Sequence, residues 1–280
     1  SFLDSSLRTS GWEEYVGQAA IKNNLSILLK AAKERNHPPE HLLFYGPPGL
    51  GKTTLAHLIA KEMGVNLKNT SGPTIEKVGD LASIITNLQA GDVLFIDEIH
   101  RLNKAVEEVL YPAMEAGSLN IILGKGPGAR VIELALPPFT LIAATTRVAL
   151  LSSPLRSRFS GGTFKLDFYT EEDLIKILDR SAKILNIEVT LDGLREIAKR
   201  SRFTPRIANH LLKRCRDLAQ VKKEAISPQN VREAINLLGI DEVGLTKSDR
   251  AVLEVLIDKF AGGPVGLSTL ATATHEEEAT

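Results

Sequence analysis

The eight residues GPPGLGKT, from Gly46 to Thr53, restrict this chain more than any other feature. They match the spacing G-x-x-x-x-G-K-[ST], follow the apolar run HLLFY and open the helix-patterned stretch TTLAHLIAKEMG. A loop of this composition between a buried strand and a helix start is built to receive phosphate. Its glycines, Gly49 and Gly51 among them, let backbone N–H groups close round the anion, and the helix N-terminus adds partial positive charge. Lys52 stands where an ammonium neutralises β- and γ-phosphate oxygens, and Thr53 offers a hydroxyl to magnesium. A glycine-rich turn with a chance lysine would not need both flanks in place.

A second apolar run, DVLFI, ends in Asp97 and Glu98. Acids at the C-terminal end of a buried strand lie where open α/β sheets bind their ligands. Asp97 can hold magnesium through water, and Glu98 can orient or deprotonate an attacking water. A third run, TLIAATT, ends near Thr146, which is either a plain strand terminus or a side chain that bonds the γ-phosphate or the water. PLRSRF follows at 154–159; its arginines are either solvated or, for Arg158, supplied in trans to a neighbour's nucleotide. The trans reading requires an oligomer. Arg206, in Thr204-Pro205-Arg206, falls in a first helical turn where the helix dipole disfavours a cation. It is read as a nucleotide sensor, with a basic surface helix as the alternative.

Short apolar runs separated by helical periodicity, from about 40 to 168, indicate a parallel sheet covered on both faces. Leu102, Val106, Val109, Leu110, Ala113 and Met114 place helix 102–116 on that sheet. Between 118 and 141 two β-prone arms flank a Gly-Pro-Gly turn, which reads as a hairpin inserted into the α/β pattern. Helices then take over. Thr170 caps the first, and Thr204-Pro205 and Ser227-Pro228 repeat a capping hydroxyl followed by proline. The expected division is a large domain at 1–169, a small helical domain at 170–238 and a further segment at 239–280.

Bulk properties narrow the partners. With 280 residues and 43% hydrophobic content, the chain can build a real core. A single cysteine, Cys215, excludes an internal disulfide. No stretch approaches the roughly 18 apolar residues of a membrane span, so a cytoplasmic address without membrane contact is expected. Formal net charge is zero, so any pull on nucleic acid must be local. The densest basic stretch, Lys199 to Lys223, holds nine cations against Asp217, although such a face is usually just solvated.

Taken together, EYVGQ (14–18), LLFYGPPGLGKTTLA (42–56), GDVLFIDEIHRL (91–102), VEEVLYPAMEAG (106–117), LPPFTLIAATTR (136–147), LLSSPLRSRF (150–159) and TPRIAN (204–209) resemble the RuvB family of AAA+ ATPases. The run FIDEIHRL…EEVLYPAME…LPPFTLI…ATTR is far more specific than a P-loop alone. The resemblance implies an AAA+ domain with a parallel sheet, a small helical lid and the start of a winged-helix domain. It implies ATP and ADP as ligands with Mg2+, a homo-hexameric ring on duplex DNA at Holliday junctions, and RuvA and RuvC as partners in recombination and repair. By position, Leu7 and Arg8 resemble nucleotide contacts, with Tyr15 and Val16 near the adenine. Gly49, Gly51, Lys52, Thr53 and Thr54 fall on phosphate and magnesium positions. Thr146 resembles the first sensor, Arg158 the arginine finger, and Pro205-Arg206 the second sensor. Tyr169 matches a nucleotide-contacting tyrosine, and Glu115, Ala116 and Gly117 a contact reached from the adjoining subunit. The hairpin tip with Ile132 and Leu134 resembles the surface that docks RuvA. Thr9 stands where the family usually has proline, Phe203 where it usually has glycine, and SGGTF (160–164) carries one extra residue. From Gly239 on, only the first helix and part of the second of a winged helix are expected.

Two other classes share parts of this pattern. A clamp-loader subunit has the P-loop and sensors but no need of the hairpin. An ATP-switched scaffold needs binding but neither Glu98 nor Arg158.

Overall fold

A computed structural model describes residues 6–9, 11–123 and 130–274. The chain forms two compact units that meet in sequence at Phe168 and Tyr169.

The first unit opens with α1 (Ala19–Glu34) and β1 (Leu42–Tyr45), then α2 (Lys52–Met63), β2 (Leu67–Ser71), α3 (Val78–Thr86) and β3 (Val93–Asp97). After α4 (Lys104–Glu115) and a hairpin of β4 (Ser118–Leu123) and β5 (Arg130–Ala135) come β6 (Thr140–Thr145), the short α5 (Ser153–Arg156) and β7 (Gly162–Lys165). Five strands form one sheet in the order β2-β3-β6-β1-β7, every pair parallel. Leu42, Leu43 and Phe44 in β1, Val93 to Ile96 in β3 and all of β6 are buried. Such strands have both faces covered, which is why they read as unbroken apolar runs. On one face, Leu43, Leu94, Ile96, Leu141 and Ala143 form a core with Val106, Leu110 and Ala113 of α4. That face accounts for the three-to-four spacing of α4, whose Asn103 caps it by accepting from the Val106 N–H at 3.0 Å.

The edge strands did not register as strands in the amino-acid pattern. LKNTS in β2 and GTFK in β7 are polar and partly exposed, as sheet edges must be. The SGGTF stretch feeds β7 through a close turn: a Cβ on Gly161 would come within 2.7 Å of the Glu40 carbonyl oxygen. A side chain there has no room.

The inserted hairpin is a separate two-stranded antiparallel sheet, with Leu119 opposite Leu134 and Ile121 opposite Ile132. Its turn, 124–129, lies outside the described residues. The expected position of Ile132 and Leu134 at the tip is therefore corrected. They sit along the β5 arm, with Leu134 only one pair from the last rung, Ser118 opposite Ala135. Leu134 is half-buried beside the buried Leu119, whereas Ile132 is 41% and Val131 66% exposed.

The second unit packs α6 (Glu171–Ile184), α7 (Leu191–Lys199), α8 (Pro205–Lys222) and α9 (Pro228–Leu237), then adds α10 (Lys247–Phe260) and α11 (Leu267–Thr274). Thr170 caps α6 as expected, accepting from Asp173 N–H at 3.1 Å, and Ser227 caps α9. Thr204 does not cap α8. Its hydroxyl donates to the Arg202 carbonyl at 3.0 Å, because the preceding Arg202 and Phe203 are both left-handed, with φ of 52° and 55°. Neither α10 nor α11 has a buried residue. Cys215 is buried in α8, and burial pushes its thiol up to about 12, which leaves it protonated and inert. Among the described residues no helix is long and apolar enough to cross a membrane.

Candidate active site

Because all five strands run the same way, their C-terminal ends share one edge of the sheet. The P-loop leaves β1 there, Asp97 and Glu98 end β3 there, and Thr145 and Thr146 end β6 between them. Two strand spacings, on the order of 10 Å, separate the first group from the second. The fold thus brings together Lys52, Thr53, Asp97, Glu98 and Thr146, which the sequence scatters over nearly a hundred residues.

The P-loop is held open by its glycines. Gly46, Gly49 and Gly51 have φ of 138°, 81° and 101°, conformations L side chains rarely adopt. A Cβ on Gly46 would also lie 2.6 Å from the Leu166 carbonyl oxygen. Gly51 is the N-cap of α2, so the first free N–H groups of that helix point out beside Lys52. The Lys52 ammonium is buried and donates to the carbonyls of Gly46 and Pro47 at 2.7 and 2.8 Å. A cation is thereby fixed against the P-loop backbone at the helix start, where a triphosphate requires one.

Glu98 is the strained residue of the site. Its φ and ψ are 47° and 48°, a left-handed conformation that costs a non-glycine residue on the order of 1–3 kcal/mol and gathers at functional positions. Asp97 Oδ1 accepts the Glu98 N–H at 2.9 Å and so braces the turn. Glu98 Oε2 accepts from both the N–H and the hydroxyl of Thr146, at 3.2 and 3.0 Å. His100 completes the group: Nδ1 lies 3.1 Å from Glu98 Oε2 and 2.8 Å from Thr145 Oγ1. A bare ring nitrogen against a carboxylate would set two acceptors together, so Nδ1 carries the proton. Burial lowers the His100 pKa, the Glu98 charge opposes that shift, and Arg147 and Arg101 reinforce it. Sequence reasoning passed over His100 and Thr145, though IDEIH already showed a histidine two residues past Glu98.

Arg158 follows α5. Its NH1 donates to the Pro154 carbonyl at 2.6 Å, its NH2 meets Glu115 at 3.1 Å, and its guanidinium lies 4.3 Å from the Tyr111 ring centroid. Among the described contacts of Arg158 none reaches the P-loop. Glu115 and Ala116 are exposed at the end of α4, and Gly117, with φ of 60°, turns the chain into the hairpin.

Around the P-loop helix, Leu7 and Tyr15 are buried, while Arg8 NH1 pairs with His57 Nε2 of α2 at 2.9 Å. Val16 is half-buried and is followed by Gln18, whose amide bonds both ways with the Asp167 backbone. His57 accepts from Arg8 only when neutral, and burial first and the Arg8 charge second lower its pKa. Thr54 is half-buried behind Thr53. Tyr169, Pro205 and Arg206 belong to the second unit. Tyr169 is buried and donates its N–H to the Phe203 carbonyl, and Arg206 is exposed on the uncapped first turn of α8.

A divalent ion fits the donor set in only one way. Among the described residues no three His, Cys, Asp or Glu side chains converge on a metal site. One carboxylate, Asp97, and one hydroxyl, Thr53, would hold it jointly with phosphate oxygens and water, which is how magnesium prefers to be held.

Residues 7–165 match the profile of the Holliday junction DNA helicase RuvB P-loop domain, residues 169–241 the RuvB AAA lid domain, and residues 242–280 the RuvB C-terminal winged helix domain. Among solved structures, a lysine-to-arginine variant of Thermotoga maritima RuvB is 48% identical, with a TM-score of 0.88 over 98% of this chain and 87% of that one. A proline-to-glycine variant of the same protein gives 47% and 0.89 over the same shares. The T. maritima RuvB described as a Holliday junction branch migration motor gives 47% and 0.87, again over 98% and 87%.

Proposed function

The chain belongs to the RuvB family of P-loop AAA+ ATPases, and from that membership we propose that it hydrolyses ATP to drive branch migration of Holliday junctions. In this reading it works as a hexameric ring on duplex DNA in the cytoplasm, with RuvA as adaptor and RuvC as resolvase, in recombination and repair. The observation that carries the reading is the order of groups along one sheet edge: Lys52 after β1, Thr146 after β6, Asp97 and Glu98 after β3, with Thr146 bonded to Glu98. A binding scaffold needs the first of these but not the last.

We assign Lys52 and the P-loop amides to the β- and γ-phosphates, Thr53 and Asp97 to the metal, and Thr54, Leu7, Arg8, Tyr15 and Val16 to the rest of the nucleotide. Bound magnesium would supply neutralisation of the phosphate oxygens. Glu98 orients the attacking water and takes its proton, and Thr146 sets the carboxylate's rotamer. Arg158 serves the neighbouring subunit, consistent with its described partners lying on α4 and α5 rather than on its own P-loop. Glu115 to Gly117 meet the nucleotide of the adjoining subunit. Pro205-Arg206 is the lid's contribution and Tyr169, where the large domain ends, a further nucleotide contact, in a division at 1–169, 170–238 and 239–280.

The hairpin supports the adaptor contact, since Val131 and Ile132 are exposed apolar side chains on an arm that adds nothing to the main sheet. The test is a labelled four-way junction with ATP, with and without RuvA. Branch migration should require ATP and rise with RuvA. The pair Ile132→Asp and Leu134→Asp should abolish the RuvA response and keep nucleotide binding, because a charge buried in an apolar contact is costly. A junction left intact under all conditions refutes the motor, and a double variant that responds fully to RuvA refutes the dock.

A further inference from the structure

We propose that Tyr111 is a positioning residue for Arg158, its ring holding the guanidinium in the orientation from which it reaches a neighbour's nucleotide. This rests on the reading of Arg158 as a finger acting in trans.

The guanidinium lies over the Tyr111 ring at 4.3 Å, and the Arg158 side chain is only 19% exposed. Its Nε is buried without a hydrogen-bond partner. A half-buried guanidinium whose buried Nε has no partner is not placed there by hydrogen bonding alone, so the aromatic ring supplies what holds it. The ring in turn is fixed at its far end. Tyr111 donates its hydroxyl to Glu107 at 2.5 Å and lies 3.3 Å from the Ser152 hydroxyl. Ser152 also bonds Glu107 and caps α5 by accepting from Leu155 N–H. Tyr111, Glu107 and Ser152 therefore tie α4 to the short helix that leads into the finger.

The geometry separates two kinds of contact. Glu115 meets the in-plane N–H edge of Arg158 and is itself 59% exposed, so this ion pair is weak and readily exchanged. The other contact is with the ring, whose centroid lies 4.3 Å from the guanidinium carbon. Such a cation–π contact does not use the donor that Glu115 holds, which stays available for phosphate oxygens. Exchange of Glu115 for a γ-phosphate can thus proceed without losing the ring. The finger arrives oriented, rather than as one rotamer of a long flexible chain.

The test uses mixed assemblies of the full chain. Arg158→Ala subunits supply intact P-loops and Lys52→Ala subunits supply intact fingers, so their mixture recovers ATPase activity. Tyr111→Leu is then added to one partner at a time. On the finger supplier it should lower the restored kcat at least about tenfold, a part of the 10³–10⁵ such an arginine contributes, with little change in KM. On the P-loop supplier it should add no further loss. Tyr111→Phe on the finger supplier should retain the restored rate, because the ring face remains. Equal losses in both placements would mark Tyr111 as merely structural and overturn the proposal, as would full recovery with Tyr111→Leu on the finger supplier. If the parent mixture is silent although the subunits co-assemble, the trans reading itself falls and takes this inference with it. An active parent mixture with an indifferent Tyr111 removes the inference alone.

Discussion

The carboxylate of Glu98 accepts two hydrogen bonds from Thr146 and has His100 Nδ1 at 3.1 Å, while its backbone is held left-handed. Each bond asks for an acceptor, and only a carboxylate also serves as a proton acceptor for water. Glu98→Gln retains the shape and the proposed Asp97 metal ligand but removes the proposed base. ATP should still bind, and hydrolysis should fall by at least ~10²-fold. Single-turnover hydrolysis beside a nucleotide-binding titration measures both, and unchanged turnover would remove Glu98 from the chemistry. Phe203 shows the opposite case. It is an exposed aromatic in a left-handed conformation where glycine would be unstrained, and it displaces the Thr204 hydroxyl from its capping role.

At the scale of elements, α4 links the acidic strand end, Arg158 and the hairpin, and His41 helps pin it to the sheet. His41 Nδ1 accepts the Leu141 N–H of β6 at 2.9 Å, and Nε2 bonds the Met114 carbonyl of α4 at 3.0 Å. Both bonds are satisfied only by the neutral ring with its proton on Nε2. Burial lowers the His41 pKa, outweighing the Met114 carbonyl and the Glu40 charge, which pull it up. The unfolded chain therefore binds more protons than the folded one below about pH 6.5, the ordinary histidine value. The stabilisation is complete above that pH and is lost as pH falls through the lowered folded value. His57 and His100 are lowered too and act with the same sign. Urea unfolding between pH 8 and 5 should show stability dropping at the acid end, and His41→Gln should make that slope shallower. An unchanged slope would show that His41 is not a source of it.

The whole molecule carries no net charge, and the one basic stretch is largely spent on internal pairs. Arg200 pairs with Glu196, Arg202 with Asp249, Lys222 with Glu233, and both Arg214 and Arg216 with Asp217. The proposed turnover in trans has a consequence at the same scale. A subunit that borrows its arginine is incomplete alone, so ATPase activity per subunit should climb with protein concentration across the range where sedimentation shows assembly, then level off. Constant specific activity down to concentrations where only monomers sediment would exclude a shared site.

What the amino-acid pattern determined was whatever depends on neighbours in the chain. The P-loop, the buried strands β1, β3 and β6, the inserted hairpin and the capped helix α6 are set by local periodicity and by turn and cap chemistry within a few residues. The edge strands escaped because a half-exposed strand such as LKNTS has no run of apolar side chains to announce it. The pairing of the basic stretch escaped for a related reason, since Glu196, Glu233 and Asp249 lie outside it and meet it only through packing. Tyr111 looked like one more residue of an amphipathic helix, and His100 like a polar residue after a strand. Only the tertiary fold set β6 between β1 and β3, brought Thr146 onto Glu98 and laid Arg158 across a ring 47 residues earlier in the chain. Those contacts arise from strand order and helix packing, which local sequence does not encode.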